Sequence, residues 1–574
     1  YYKLDKKGDI KSKEGREIGG GQDFIRYIEG LMNKTDKIYV LAHNIAFDMR
    51  VLNLFDIVMQ KGYHSKPPVI NNMVFIWFAS KGKRSIVFID TSNIGVRSVA
   101  ALGQDMGYEK GNVNFDNVDH ETLLEYCIRD VEIIGQFTTE YIKFLREHNL
   151  GNFKLTLASQ SLQAYRTRFN NNDIYIHMWY DALVLERDAY YGGRTECFIL
   201  GDIQDDAFYY LDVNSMYPYV MKNMELPTKL YKRINYPTIE DLIEYDDYYL
   251  IADVTLNTED NVYPLRLTND KDAYNYLNNP SKNSPYPQGK HRRLIFPTGR
   301  FRTTLHDVEI KHALDNDDII KIHRLVVYER GKPFKDYVEF FYKLKREYTE
   351  QQNKSWRLVS KLFLNSLYGK FGQLLSHREN LETDNDYKVL RETHYNAETE
   401  EHYAILFWYG KAIREYKRGE TAFSSPAIAG AITAYARYVL YMFIEQAGKE
   451  NVYYTDTDSI MTNAVGYNNL KNTLDDYELG KLSLEKQSDS LIIHGNKDYK
   501  FGDDTKLKGV PRNAKPLEEN SWIYIQFEGF ISWFNKGGTT GMVGERRIKR
   551  RLGEYHKGIV LDNGLILPYR LFEK

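Results

Sequence analysis

Six residues, Tyr454-Thr455-Asp456-Thr457-Asp458-Ser459, constrain this chain more than any other stretch. Apolar runs flank them, so Asn451–Thr462 reads as a strand, a tight turn and a returning strand. Two carboxylates two residues apart at a hairpin tip repel each other, and burial sharpens the cost. A divalent cation relieves it. The fold must therefore bring more oxygen ligands to this tip, because hard ions such as Mg²⁺ take oxygen. Alone, an Asp-Thr-Asp is usually a solvated loop.

Two other segments supply complementary chemistry. In Leu211-Asp212-Val213-Asn214-Ser215-Met216-Tyr217-Pro218, an apolar strand over Phe208–Leu211 delivers Asp212 to a turn closed by Pro218. In Lys361-Leu362-Phe363-Leu364-Asn365-Ser366-Leu367-Tyr368-Gly369, the residues Lys361, Asn365 and Tyr368 share one helix face. A cation, an amide and an aromatic ring on that face suit phosphate, sugar edge and base. Singly, a strand-end Asp is more often a turn residue and such a stripe more often a helix surface. Together they match phosphoryl transfer, which needs cations bridging the phosphates and the attacking oxygen, plus a positive side chain on the triphosphate.

Asp-x-x-Ser-x-Tyr-Pro, Lys-x-x-x-Asn-Ser-x-Tyr-Gly and Tyr-x-Asp-Thr-Asp-Ser, in this order, resemble the three polymerase motifs of family B DNA polymerases. The resemblance runs from about residue 40 to 574. It implies an α/β and α+β multidomain chain: a partial ribonuclease-H-like exonuclease domain, then palm, fingers and thumb. It also implies Asp212 and Asp458 as ligands of two Mg²⁺ (or Mn²⁺) ions, with Asp456 supporting the site. Tyr217 would exclude a 2′-hydroxyl, Lys345 and Lys361 would contact the triphosphate, and Asn365 and Tyr368 would line the nascent base pair. Tyr190-Tyr191-Gly192-Gly193 is similar to the family's Tyr-x-Gly-Gly element, which contacts DNA through Tyr190, Gly192 and Gly193. Lys497 and Tyr499 stand where the family grips the primer end, and Lys508-Gly509 resembles its next basic element. Thr433 and Arg437 lie on the helix under the palm. For Arg437 a structural ion pair and a primer contact are equal alternatives.

The spacing narrows the subfamily. About 140 residues separate the first two motifs and roughly 80 separate the second from Tyr454, longer than compact domains leave without purpose. These stretches resemble the two insertions of protein-primed polymerases. The expected organisation is exonuclease 1–165, linker 166–200, palm 201–222, first insertion 223–335, fingers 336–372, second insertion 373–422, palm 423–480 and thumb 481–574. By that resemblance the partners are template-primer DNA, deoxynucleotides and a terminal protein at the first insertion, while the second insertion helps encircle DNA. A Pro/Asn/Ser-rich loop falls at 278–288, and the basic run Arg546–Arg551 is a further candidate for duplex phosphates.

His43-Asn44-Ile45-Ala46-Phe47-Asp48 and Tyr126-Cys127-Ile128-Arg129-Asp130 resemble two proofreading motifs. They imply Asp48 and Asp130 as metal ligands, Tyr126 positioning the water, and Asn44 and Phe47 holding a frayed primer end by stacking. Asp90-Thr91-Ser92 is a further candidate contact to a single strand. No Asp-x-Glu precedes Asn44, and the first residue is Tyr1. The expectation is a chain that begins part-way through a longer one and has little exonuclease activity.

Composition adds limits. With 77 basic against 79 acidic residues, net charge says nothing for or against nucleic acid. Neither Cys127 nor Cys197 sits in a CxxC pair, which argues against a disulfide scaffold or a cysteine zinc site. No run approaches the roughly 18–20 uninterrupted apolar residues of a membrane span. An intracellular setting is expected, a host mitochondrion ahead of a phage-infected cytoplasm. Two alternatives remain: a conventionally primed family B enzyme, and a silent DNA-binding relic.

Overall fold

The turn at Gly82 (φ 60°) closes a hairpin that pairs Val74–Lys81 with Arg84–Asp90. The computed structural model describes the chain apart from residues 1, 6–8, 14–16, 34–35, 72–73, 96, 115–116, 172, 268–292, 385–386, 397–400, 512–513, 519–520, 528, 539–544, 552–554 and 573–574. The loop expected at 278–288 lies outside the described residues. In the first domain, helix α1 (Gly21–Gly30) is followed by β1 (Lys37–Ala42), α2 (Ile45–Val51), α3 (Leu54–Gln60), β2 (Val74–Lys81) and β3 (Arg84–Asp90). Strand β1 pairs parallel with β3, and β2 pairs antiparallel with it. In sequence, the apolar run Ile38-Tyr39-Val40-Leu41-Ala42 reads as a buried strand. Instead β1 is an edge strand, so Tyr39 is 44% exposed.

Helix α4 (His120–Glu147) starts at Asp119, whose carboxylate accepts the Thr122 amide. Its second half packs into the main core, with Phe144 against Trp356 at 4.8 Å. Then come α5 (Tyr180–Ala189), β4 (Thr195–Cys197), β5 (Gly201–Ile203), β6 (Phe208–Val213) and α6 (Met216–Asn223). The expected first insertion holds β7 (Leu226–Asn235), β8 (Tyr249–Thr258), β9 (Thr298–His306) and β10 (Ile319–Gly331), in the spatial order β7-β10-β8-β9.

Two helices packed on each other follow, α7 (Lys335–Glu350) and α8 (Lys354–Phe371), in the stretch expected as fingers. The stretch expected as the second insertion is a four-stranded antiparallel sheet: β11 (Leu374–Leu381), β12 (Val389–Asn396), β13 (Glu401–Trp408) and β14 (Lys411–Glu420). Helix α9 (Pro426–Ala447) is long and apolar enough to cross a membrane, yet 78% of its apolar window is buried in the protein core. It leads into β15 (Val452–Asp456), β16 (Ser459–Asn463) and β17 (Leu482–Ser488).

The palm sheet has the order β17-β6-β16-β15-β4. It reaches past the expected palm on both sides, taking β4 from the expected linker and β17 from the expected thumb. Strands β17 and β4 cover the outer sides of β6 and β15, so the two strands that carry Asp212 and Asp456 are paired on both sides. Beyond it, β18 (Leu491–Gly495), β19 (Asp498–Phe501) and β20 (Asp504–Leu507) form a sheet with β5. The chain ends with β21 (Lys515–Glu518), β22 (Ser521–Phe527), α10 (Phe530–Asn535), β23 (Glu545–Arg551) and β24 (Arg570–Phe572). The basic run at 546–551 is therefore a strand, antiparallel to β22. Strand β24 pairs parallel with β9 and extends that sheet.

One aromatic core ties three distant stretches together. The Phe55 ring lies 4.9 Å from Trp77, 5.5 Å from Trp408 of the second insertion, and 5.5 and 5.7 Å from Phe530 and Trp533 of α10. The insertion is pinned at its root by buried Arg187, which donates to both Glu420 oxygens and to the Gly372 carbonyl. Phe55→Ala should cost about 3–5 kcal/mol. Limited proteolysis should then speed up within 373–420 and around 530–535 together. Acceleration in only one of these stretches would show that they do not share a core.

Candidate active site

Asp212 is the penultimate residue of strand β6, and the antiparallel register sets it opposite Ser459, the residue after Asp458. The Val213 amide donates to the Asp458 carbonyl at 2.7 Å. Both carboxylates thus stand at the same end of adjacent strands. Burial, then repulsion from Asp458 and Glu485, pushes Asp212 up to about 7, against the pull of Lys361 and Lys345. Burial and then Asp456 push Asp458 up to about 6. Asp456 faces differently. Its Oδ1 accepts from the Thr195 hydroxyl at 3.1 Å and pairs with the Lys497 ammonium at 3.2 Å.

The turn between the two carboxylates is strained, with Thr457 at φ 67°. It is held by the Tyr-x-Gly-Gly segment. The Thr457 amide donates to the Arg194 carbonyl at 2.6 Å, and a Cβ at Gly193 would stand 2.8 Å from the Thr457 methyl. That segment is held in turn by α9: Thr433 and Arg437 donate to the Tyr191 carbonyl, and Arg437 also reaches Gly192. Arg437 is 2% exposed and pairs with Glu309 at 2.7 Å. Of the two readings of Arg437, the structure shows the ion pair.

The fingers face completes the site. Lys345 donates to the Ser215 hydroxyl at 3.0 Å. Burial, then Lys361 and Arg357, pulls its ammonium down to about 8. Asn365 and Tyr368 follow Lys361 on α8, and the Tyr368 ring lies 4.6 Å from Tyr217. Behind Asp456, the Lys497 amide donates to the Tyr454 hydroxyl at 3.0 Å, and Tyr499 lies 5.4 Å from the Tyr454 ring. Lys508 is exposed beyond β20. Sequence reasoning missed Glu485, Arg357, Thr195 and Ser215. Only Ser215, inside the first motif, carried a local signal.

The proofreading motifs have separate partners. Asp90 accepts from the Asn44 and Ser92 amides at 3.1 and 2.9 Å. Burial, and next to it the charge of Asp90, pushes Asp48 up to about 6. Asp130 pairs with Lys110 at 2.7 Å, and the Lys110 ammonium sits 4.2 Å over the Tyr126 ring. Phe47 is 37% exposed, open to a stacking partner.

Asp212 and Asp458 make an all-oxygen donor set in an environment that penalises their charge, which fits a hard divalent cation. Among the described residues no group of three or more His, Cys, Asp or Glu is gathered as a metal cage. Magnesium does not need one: one or two carboxylates suffice where substrate phosphates and water complete its shell. The raised carboxyls carry a sign. The metal-free fold binds more protons than the unfolded chain between about pH 4 and 7, so its stability falls as pH rises through that window. Asp212→Asn should therefore stabilise the metal-free protein near pH 8, by on the order of 1–2 kcal/mol after allowance for partial exposure, and by nothing near pH 4. A loss of stability at pH 8, read from denaturant midpoints, would contradict the raised carboxyl.

The model of DNA polymerase type B, organellar and viral, matches residues 104–449. The chain is 27% identical over 450 residues to a DNA polymerase of Kluyveromyces lactis, spanning 70% of this chain and 41% of that protein. It is 26% identical over 408 residues to the DNA-directed DNA polymerase of Enterobacteria phage PRD1, spanning 68% and 63%. It thus spans less than two thirds of the length of these relatives. Its fold is similar to phi29 DNA polymerase complexed with primer-template DNA and incoming nucleotide, with TM-score 0.60, 17% identity, and 85% and 86% of the two chains covered. The match across more than half of the chain and the three ordered motifs lead to one conclusion: this chain belongs to the type B DNA polymerases of organelles and viruses.

Proposed function

We propose that this chain is a template-directed DNA polymerase that joins deoxynucleotides to a primer by two-metal phosphoryl transfer. The observation that carries the reading is the placement of Asp212 and Asp458 on adjacent strands, within electrostatic reach of Lys361 on α8. Divalent cations, when bound, stabilise charge on the attacking and leaving oxygens. The chain's own residues do the rest. Asp212 and Asp458 would hold those cations. Lys345 and Lys361 would neutralise the triphosphate, and Arg357, one turn before Lys361, adds a third charge. Asn365 and Tyr368 would line the base pair, with Tyr217 beneath the sugar as the barrier to a 2′-hydroxyl. Lys497, held against Asp456, would steady the primer end, with Tyr499, Lys508, Tyr190, Gly192 and Gly193 along the DNA. Asp458→Ala should abolish primer extension, whereas the parent extends. Equal background signal from both would favour the silent relic.

Priming by a terminal protein is a finer reading with its own support. Tyr175, Met178, Trp179 and Tyr180 are all more than half exposed, as is Tyr231 on β7, the edge strand of the first-insertion sheet. Arg233 lies 4.1 Å over the Trp179 ring. Trp, Tyr, Met and Arg are the residues enriched in protein interfaces. The fungal sources of most relatives favour a host mitochondrial element over a phage. Trp179→Glu should cut terminal-protein-primed initiation at least about tenfold while sparing extension of a DNA primer. Equal loss in both assays would remove this support, and the conventionally primed reading would stand.

For the proofreading half we propose weak 3′–5′ exonuclease activity. Asp130 is tied to the Lys110 ammonium at 2.7 Å, and the same ammonium lies 4.2 Å over the Tyr126 ring, so two of the groups that would serve metal and water are held by a cation. The chain should degrade a labelled single strand far more slowly than it extends a primer. Comparable rates would overturn that.

A further inference from the structure

Strand β4 is the edge of the palm sheet, and its inner side pairs with β15 so that Thr195 stands opposite Asp456. An edge strand leaves backbone groups without a neighbour. Here the carboxy-terminal stretch supplies one. The Lys557 ammonium donates to the Thr195 carbonyl at 2.7 Å. The Tyr555 hydroxyl accepts from the Cys197 amide and donates to the Cys197 carbonyl, both at 3.3 Å. Backbone pairing then takes over: the Ile566 amide donates to Phe198 and the Leu200 amide to Gly564. Two side chains thus stand in for a strand at 195–197, and a true strand edge continues it.

The choice of lysine is informative. A neutral donor would satisfy one carbonyl, and burying an ammonium is costly. Burial pulls the Lys557 ammonium below its ordinary range and Lys508 adds to that, while Glu196 and Asp456 favour its charge. The carbonyl that it grips belongs to the residue whose hydroxyl binds Asp456 Oδ1 at 3.1 Å, the same oxygen that pairs with Lys497 at 3.2 Å. A single chain of contacts therefore runs from the carboxy-terminal stretch through Thr195 to Asp456 and Lys497.

Resting on the polymerase reading above, we propose that Lys557 is a positioning residue of the active site. By holding the Thr195 carbonyl it fixes the Thr195 hydroxyl on Asp456, and so sets where Asp456 and Lys497 stand relative to the primer end. Lys557 itself touches neither substrate nor reacting atoms.

The test uses the whole chain, with Lys557→Met, Lys557→Arg, Thr195→Val and the double variant Lys557→Met/Thr195→Val. Lys557→Met should lower kcat for primer extension about tenfold with the nucleotide KM within about twofold, because ground-state nucleotide binding is untouched. Lys557→Arg, which keeps charge and donor, should recover most of kcat. Thr195→Val should show a similar loss, and the double variant no further one, as expected for residues in one relay. Amide exchange should quicken at 455–458 in Lys557→Met and stay unchanged in β2 and β3. Parental kcat in Lys557→Met, multiplying losses in the double variant, or exchange that rises equally everywhere would each overturn the proposal. A parent that extends no primer would instead overturn the polymerase reading, and the exchange pattern would still decide the relay.

Discussion

Antiparallel pairing between β6 and β16 places two carboxylates where neither is comfortable as an anion. Backbone hydrogen bonds between the strands set the register, and a shift of one residue would turn Asp212 to the other face of the sheet. The rest of the site answers this forced proximity. Lysines from the fingers lean on the pair from one side. On the other, Asp456 is drawn aside by Thr195 and Lys497, so the two neighbouring acids of the hairpin do different work. The strained Thr457 turn persists because Arg194 and Gly193 brace it.

The bracing continues outward in layers. Helix α9 holds the Tyr-x-Gly-Gly segment through Thr433 and Arg437, and Glu309 neutralises that buried arginine. A buried ion pair of this kind is poor evidence for net stability but is expensive to break from one side. Arg187 plays the matching part at the root of the second insertion. The aromatic cluster around Phe55 then fastens the insertion and α10 onto the amino-terminal domain. The amino-terminal domain is thereby structural as well as a candidate for proofreading, and damage to it would loosen the insertion sheet.

The candidate site is legible in the sequence because its motifs are local: each places two or three groups within one turn or one helix face. The paired strands of the hairpin at 452–463, the helices around Lys345 and Lys361 and the strand before Asp212 all follow from short-range pattern. Contacts made across long separations had no such signal. Glu485 meets Asp212 only because β17 pairs with β6. Thr195 and Lys557 are polar residues in unremarkable surroundings until β4 and the carboxy-terminal stretch come together. Tyr39 reads as core because apolar runs do not reveal whether a strand is central or at an edge. For Arg437, sequence left two readings open, and only its burial beside Glu309 separates them.

The central claim is that Asp212 and Asp458 share divalent cations with a bound nucleotide. A crystal of the chain with primer-template DNA, a non-hydrolysable deoxynucleoside triphosphate and Mn²⁺, with data collected at the manganese edge, tests it most directly. The account predicts two anomalous peaks between these carboxylates and the triphosphate, with Lys361 on the phosphates. Peaks that involve neither residue, or carboxylates that bind no manganese while nucleotide is seated, would contradict it.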